Sequence, residues 1–339
     1  MASKSDSAAR HRTHRMVETD TFLEMLRNDF VPLGKEHGRS ARVYMHKTME
    51  PMPRPHLTRQ NKRKRLSVNK VERLVLKAQI CVWYKDAWMS VQIMEHELDD
   101  GETPETLRAR QQIIESIFNG SVKAHEHNFN TLCELTTHDF EGEVEALVDA
   151  SRVDATPPVR DVFYARTDCD RVRIGVFIQH YSRTLEHEAG EEGVVKYMAQ
   201  ERTWRALVAQ MRVLAAHGLA HLDLNPGNLV VTRGLPRPVQ VIDLANALRP
   251  SDHLPVHKEC SKAERAELGN QWRMTIMAQH LMRMWNVPAM RRDSVFMESL
   301  LPRMRELVHS EQDKCDALLA RHVVPGQSLA EFYNVTLYE

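Results

Sequence analysis

The sequence predicts an α+β protein in which a small strand-rich region precedes a larger, mainly helical one. Three observations carry this expectation. β-Branched and aromatic runs crowd residues 71–182. From about residue 194 the apolar residues recur at helical spacing instead. The chain's 339 residues, 42% hydrophobic and 27% charged, are enough for two lobes that each bury a core.

The elements follow in order. Leu74-Val75-Leu76 through Ile80–Tyr84, then Trp88 to Met94, read as two strands around a hairpin turn at Lys85-Asp86. Thr103 is a helix N-cap with Pro104 in the first turn, and Asn119-Gly120 stops that helix after Phe118. Val162–Ala165 and Val172–Ile178 are further strands, separated by the polar turn Thr167–Asp170. Trp204, Leu207, Val208, Met211, Leu214 and Ala215 form one buried helix face that ends at Gly218. The Met-rich stretch Trp272–Trp285 reads as core packing. Val295–Val308, interrupted by Pro302, and Asp316–His322 supply the remaining helices.

Charge divides the chain more sharply than composition does. Lys+Arg and Asp+Glu balance at 46 each, yet residues 1–70 hold 16 basic and 7 acidic side chains. The rest of the chain is correspondingly acidic, with 30 against 39. The boundaries expected are a basic, flexible arm over 1–70, a small lobe over 71–182 and a helical lobe over 183–339. The basic excess peaks at Arg59–Arg65, behind the spaced prolines Pro51, Pro53 and Pro55. Such a run suits a solvated linker, a nuclear import signal or a nucleic-acid contact. No apolar run reaches the roughly 20 residues that a spanning helix needs, so no membrane is expected. The first residues lack the apolar centre of a secretory signal, and the expected location is intracellular, in nucleus or cytoplasm. Five well-separated cysteines without a C-x-x-C pair argue against a disulfide framework and a zinc site.

The chemistry concentrates in His217–Val231 and Gln240–Ala245. A buried helix runs into the polar loop His221-Leu222-Asp223-Leu224-Asn225-Pro226-Gly227-Asn228. A short hairpin follows, Leu229–Thr232 and Val239–Ile242, closed by the turn residues 233–238. That order brings Asp223, Asn228 and Asp243 to one end of the hairpin. Two carboxylates and an amide oxygen there make a hard-oxygen site suited to Mg²⁺.

These residues resemble the catalytic loop H-R-D-L-x-x-x-N and the metal turn D-F-G of the protein-kinase-like family. The second motif here is Asp243-Leu244-Ala245. The resemblance implies a two-lobed protein-kinase-like fold and ATP-dependent phosphoryl transfer to a protein Ser/Thr hydroxyl. It implies that Asp223 is the catalytic base and that Asn228 and Asp243 hold Mg²⁺ on ATP. It also implies a phosphate-binding lysine clamped by a glutamate. Phe140–Leu147 resembles the start of the glutamate helix, with Glu143 at the matching position and Val144, Leu147 and Val148 as its packed face. Lys123 is the candidate lysine. An alternative register puts the lysine strand at Thr131–Thr136, with Glu134 in the lysine's place. The compact segment after Asp243 and the eroded phosphate loop are similar to those of divergent kinases of large DNA viruses.

The chain also departs from the family pattern. Leu222 replaces the arginine beside the catalytic aspartate, Asn225 replaces a lysine, and Ala245 replaces the last glycine of the metal turn. No glycine-rich loop is recognisable beyond Gly34 and Gly38, and Lys262-Ala263-Glu264 is the nearest trace of an A-P-E triplet. Asn270-Gln271-Trp272 resembles the family's D-x-W helix start. Two other readings therefore stand beside a protein kinase with a basic protein substrate: a small-molecule phosphotransferase, and an idle pseudokinase scaffold. His221 is expected to bond backbone near the metal turn rather than a metal.

Overall fold

A computed structural model describes residues 14–32, 42–51, 71–92, 103–119, 126–181, 184–185, 193–231, 239–248 and 260–322. By its contacts the chain divides into two units. The first comprises Met1–Val144 and Val159–Tyr181, and the second Glu145–Pro158 and Ser182–Glu339. Mixed α and β content is as the sequence predicts.

The first unit is built on one mixed sheet. Its strands are β1 (Arg15–Glu18), β2 (Phe30–Pro32), β3 (Arg42–Pro51), β4 (Val71–Tyr84), β5 (Ala87–Val91), β6 (Thr136–Asp139), β7 (Val159–Arg166) and β8 (Val172–Tyr181). The order is β1-β7-β8-β4-β3-β2, with β5 paired to β4 and β6 paired to β5. Only β1 against β7 is parallel among these pairs. Lys85 and Asp86 turn β4 into β5 with φ of 49° and 64°. Two successive left-handed residues are what a two-residue type I′ hairpin requires.

Alternation along β4 separates two packing layers. Leu74, Leu76, Ala78, Ile80 and Val82 join a core with Ile174, Val176 and Phe163. Helices α1 (Thr19–Asp29), α2 (Pro104–Phe118) and α3 (Glu126–Glu134) supply Phe22, Ile117, Phe118, Phe129 and Leu132 to that same core. Lys77, Gln79 and Cys81 point the other way, toward α4 (Phe140–Arg152). Phe140 lies against Tyr164 and Phe177 on this side. Gly175 gives it room, because a Cβ there would come within 2.6 Å of the Phe140 ring and 2.9 Å of the Cys81 sulfur.

Several expectations change here. The arm expected over 1–70 is folded where it is described, since β1, α1, β2 and β3 belong to the sheet unit. The alternative lysine strand at Thr131–Thr136 is instead the end of α3 and the start of β6, and Glu134 is helical. Thr103 caps α2 as expected, its hydroxyl accepting from the Thr106 N–H at 3.3 Å. The basic run Arg59–Arg65 lies outside the described residues.

In the second unit, α5 (Val194–Met198) precedes α6 (Glu201–Ala216), whose Trp204, Leu207, Met211 and Leu214 are buried. Gly218, at φ 81°, turns the chain off α6. Two small antiparallel pairs follow: β9 (Ala220–His221) with β12 (Ala247–Leu248), and β10 (Leu229–Val231) with β11 (Val239–Val241). The helix expected to begin near Asn270 starts earlier. It is α7 (Lys262–Trp285), opened by a capping box in which Ser261 and Glu264 satisfy each other's N–H groups. The last two expected helices are one, α8 (Leu301–His322), entered without a break from the π-helical turn Phe296–Leu300, so Pro302 sits inside a continuous helical run just after that wider turn. Leu268, Trp272 and Ile276 of α7 pack with Cys315 and Leu319 of α8.

Candidate functional site

In the second unit the polar loop is fixed from three sides. His221 is fully buried; its Nδ1 accepts the Asp223 N–H at 3.1 Å, so Nε2 carries the proton and donates to the Ile242 carbonyl at 2.9 Å. Burial lowers its pKa and keeps the ring neutral, although the Ile242 carbonyl and the Asp243 and Asp223 carboxylates pull the other way. This is the backbone-bonding role expected of it. From α7, the Trp285 indole donates to the Leu224 carbonyl at 2.8 Å.

The side chains of the loop then close on one another. Asn225 donates from Nδ2 to Asp223 Oδ1 at 2.7 Å, and its own Oδ1 accepts the Asn228 N–H at 3.1 Å. Asn225 thereby caps the 3₁₀ turn Pro226–Asn228. Asn228 spends its amide hydrogens on the Asp223 carbonyl and on Asp223 Oδ2, both at 2.9 Å. Each carboxylate oxygen of Asp223 is thus held by one amide. The Asn228 carbonyl accepts the Ile242 N–H at 2.9 Å, which ties the loop to the residue before Asp243. Asp243 itself is left-handed, at φ 60°. A non-glycine residue in that region costs about 1 kcal/mol or more, and Asp is among the residue types found there most often. Asp223 and Asn228 thus bond directly, and Asp243 follows the residue whose N–H the Asn228 carbonyl accepts.

The second group lies in the first unit. Glu143 is buried at the start of α4. Its Oε1 accepts from Lys77 Nζ at 2.8 Å; its Oε2 accepts from Gln79 Nε2 at 2.8 Å and lies 3.0 Å from His138 Nε2. Burial pushes the carboxyl up, but the Lys77 ammonium and the His138 ring outweigh it and leave the carboxyl well below the usual range. The Lys77 ammonium also lies 5.5 Å from the centre of the Phe177 ring. Of the packed face expected beside Glu143, Val144 and Leu147 are buried and Val148 is half-buried.

Among the described residues, Lys77 is the lysine that reaches Glu143. Lys123 lies outside the described residues. A signal was present, because Lys77 and Gln79 are polar residues on one face of an otherwise apolar strand. Gly34 and Gly38 lie outside the described residues too, in the connection between β2 and β3. They precede Lys77 by 43 and 39 residues and Lys123 by 89 and 85.

Asn228 Oδ1 and the Asp243 carboxylate are hard oxygen donors, and two protein ligands suit Mg²⁺, which keeps much of its water and takes phosphate oxygens. The donor set fits that ion. Comparison with models of known families and with curated proteins finds no match to this chain.

Proposed function

We propose that this chain is a protein-kinase-like phosphotransferase that moves the terminal phosphoryl group of ATP to a protein Ser/Thr hydroxyl. The observation that carries the reading is the clamp between the Asp223–Asn228 loop and the Ile242–Asp243 turn. It gathers a carboxylate base and two oxygen donors for metal without help from distant segments. Mg²⁺, held by Asn228 and Asp243, would neutralise charge on the ATP phosphates. Asp223, its plane fixed by Asn225 and Asn228, accepts the proton of the acceptor hydroxyl. Lys77, bonded to Glu143, takes the part of the phosphate-binding lysine that the resemblance implies. The excess of acid over residues 71–339 favours basic substrates.

A small-molecule acceptor is the second reading. Lys262-Ala263-Glu264, the nearest trace of a protein-substrate platform, is the first turn of α7, and Glu264 closes its capping box. The pseudokinase reading loses its main support, since Glu134 is on a helix and a strand lysine does meet Glu143.

A radiolabelled ATP assay with basic proteins, acidic proteins and small hydroxyl compounds tests the proposal. Transfer to a basic protein, abolished in Asp223→Ala, is expected. Label on small compounds alone would move the assignment to the second reading. No label on any acceptor, with no Mg-ATP shift in Tm, would overturn both.

A further inference from the structure

A second cluster of chemically reactive side chains lies where the start of α7 meets the end of α8. Cys260, immediately before the capping box, places its Sγ 3.3 Å from Nδ1 of His322, the last residue of α8. Glu264 joins them, and the ligating atoms of all three lie within 4.8 Å of one another. None of the three belongs to the phosphoryl-transfer site proposed above.

We propose that Cys260, Glu264 and His322 form a zinc site that clips the two helix ends together. The donor types select the ion. A thiolate and an imidazole are poor ligands for Mg²⁺ or Ca²⁺, whereas Zn²⁺ takes sulfur, nitrogen and carboxylate oxygen readily. Cys260 just before the N-cap of α7, Glu264 in its first turn and His322 from the far end of the neighbouring helix supply three of the four ligands that zinc takes. Water takes the fourth.

The surroundings orient these ligands. Glu264 Oε2 accepts the Ser261 N–H at 2.7 Å, and the Ser261 Oγ accepts the Glu264 N–H at 3.2 Å. The capping box thus holds the carboxylate in place and leaves Oε1 for the metal. Arg265 Nε donates to the Cys260 carbonyl at 3.2 Å and fixes the backbone of the thiol ligand. Partners of this kind are worth about 10–100-fold in metal affinity at known sites. On binding, the Cys260 thiol gives up its proton to solvent and the thiolate bonds to zinc, with no change of oxidation state. The absence of a C-x-x-C pair argues against zinc only along the sequence; helix packing brings the ligands together across 62 residues.

The test uses the full chain stripped of metal by a chelator. One equivalent of Co²⁺ should give a thiolate-to-cobalt charge-transfer band and tetrahedral visible bands, both erased by one equivalent of Zn²⁺. Cys260→Ser should lose the charge-transfer band. Glu264→Gln and His322→Ala should each weaken zinc binding at least about tenfold in a chelator competition. Glutamine still completes a capping box, so an unchanged far-UV spectrum in Glu264→Gln would separate ligand loss from helix loss. No thiolate band in the wild type would overturn the site. Equal zinc affinity in Glu264→Gln, His322→Ala and the wild type would do the same.

Discussion

Lys77 and Glu143, on a strand and a helix 66 residues apart, meet at 2.8 Å with the carboxylate wholly shielded from water. A charge this deeply buried is stable only while its partners stay. Lys77→Met should therefore lower stability by roughly 3–5 kcal/mol, read from urea unfolding followed by far-UV circular dichroism. It should also abolish phosphoryl transfer, whereas Lys123→Met should not. The reverse result would return the phosphate contact to Lys123.

Acid should act through the same pair. Glu143 ionises near pH 2 in the folded chain, against about 4.3 for an ordinary glutamate. A lowered folded value means that the unfolded chain binds protons more readily as pH falls. The stabilisation is complete above about pH 4.3 and is lost as pH falls toward about 2. Urea unfolding between pH 6 and 3 should show this slope in the wild type, and a reduced slope in Glu143→Gln.

Asn225 bonds both Asp223 and Asn228 within the polar loop. Asn225→Ala removes the bond to Asp223 Oδ1 and the cap of the 3₁₀ turn. Loss of a cap of this kind costs about 1 kcal/mol. A fall in kcat larger than any change in KM for ATP is the expected kinetic result. Unchanged kcat would show that Asn228 alone orients the carboxylate.

Gly175 is a test of packing rather than of chemistry. In Gly175→Ala the new methyl meets Phe140 and Cys81, both buried, so the cost should be that of overpacking, about 1–3 kcal/mol. Chemical unfolding measures it.

Removing residues 1–70 should unfold the first unit. The deletion takes Phe22, Phe30 and Tyr44 out of the core, worth roughly 5 kcal/mol or more in lost burial. A truncated chain that keeps the wild-type near-UV spectrum would show instead that β4, β7 and β8 fold without β1–β3.

The legible parts of the molecule were those set by neighbours in sequence. The Lys85-Asp86 hairpin, the Thr103 cap and the Asp223–Asn228 loop each draw their geometry from a few adjacent residues. The Lys77–Glu143 pair does not, because nothing local tells a strand lysine which helix will cover it. The N-terminal strands were hidden for another reason. Their surplus of positive charge suggests a solvated arm, while the few apolar side chains that anchor them, Phe22, Phe30 and Tyr44, are spread too thinly to show a period. The start of α7 was missed because its first turns are charged and exposed, with burial beginning only at Leu268.

Residues Glu145–Pro158 group with the second unit although the chain on both sides of them groups with the first. They are anchored there in part through Ala155, whose carbonyl accepts the Val241 N–H at 3.0 Å, and through Asp154, whose carbonyl accepts from Gln210 at 3.2 Å. Neither unit is therefore a continuous stretch that cloning could excise. A single nick between residues 181 and 193 leaves a fragment ending near 181 that carries part of the second unit's own structure. Two fragments divided at that point and expressed together should bind each other without a linker, as the halves of a split reporter do, through the piece that one half holds for the other.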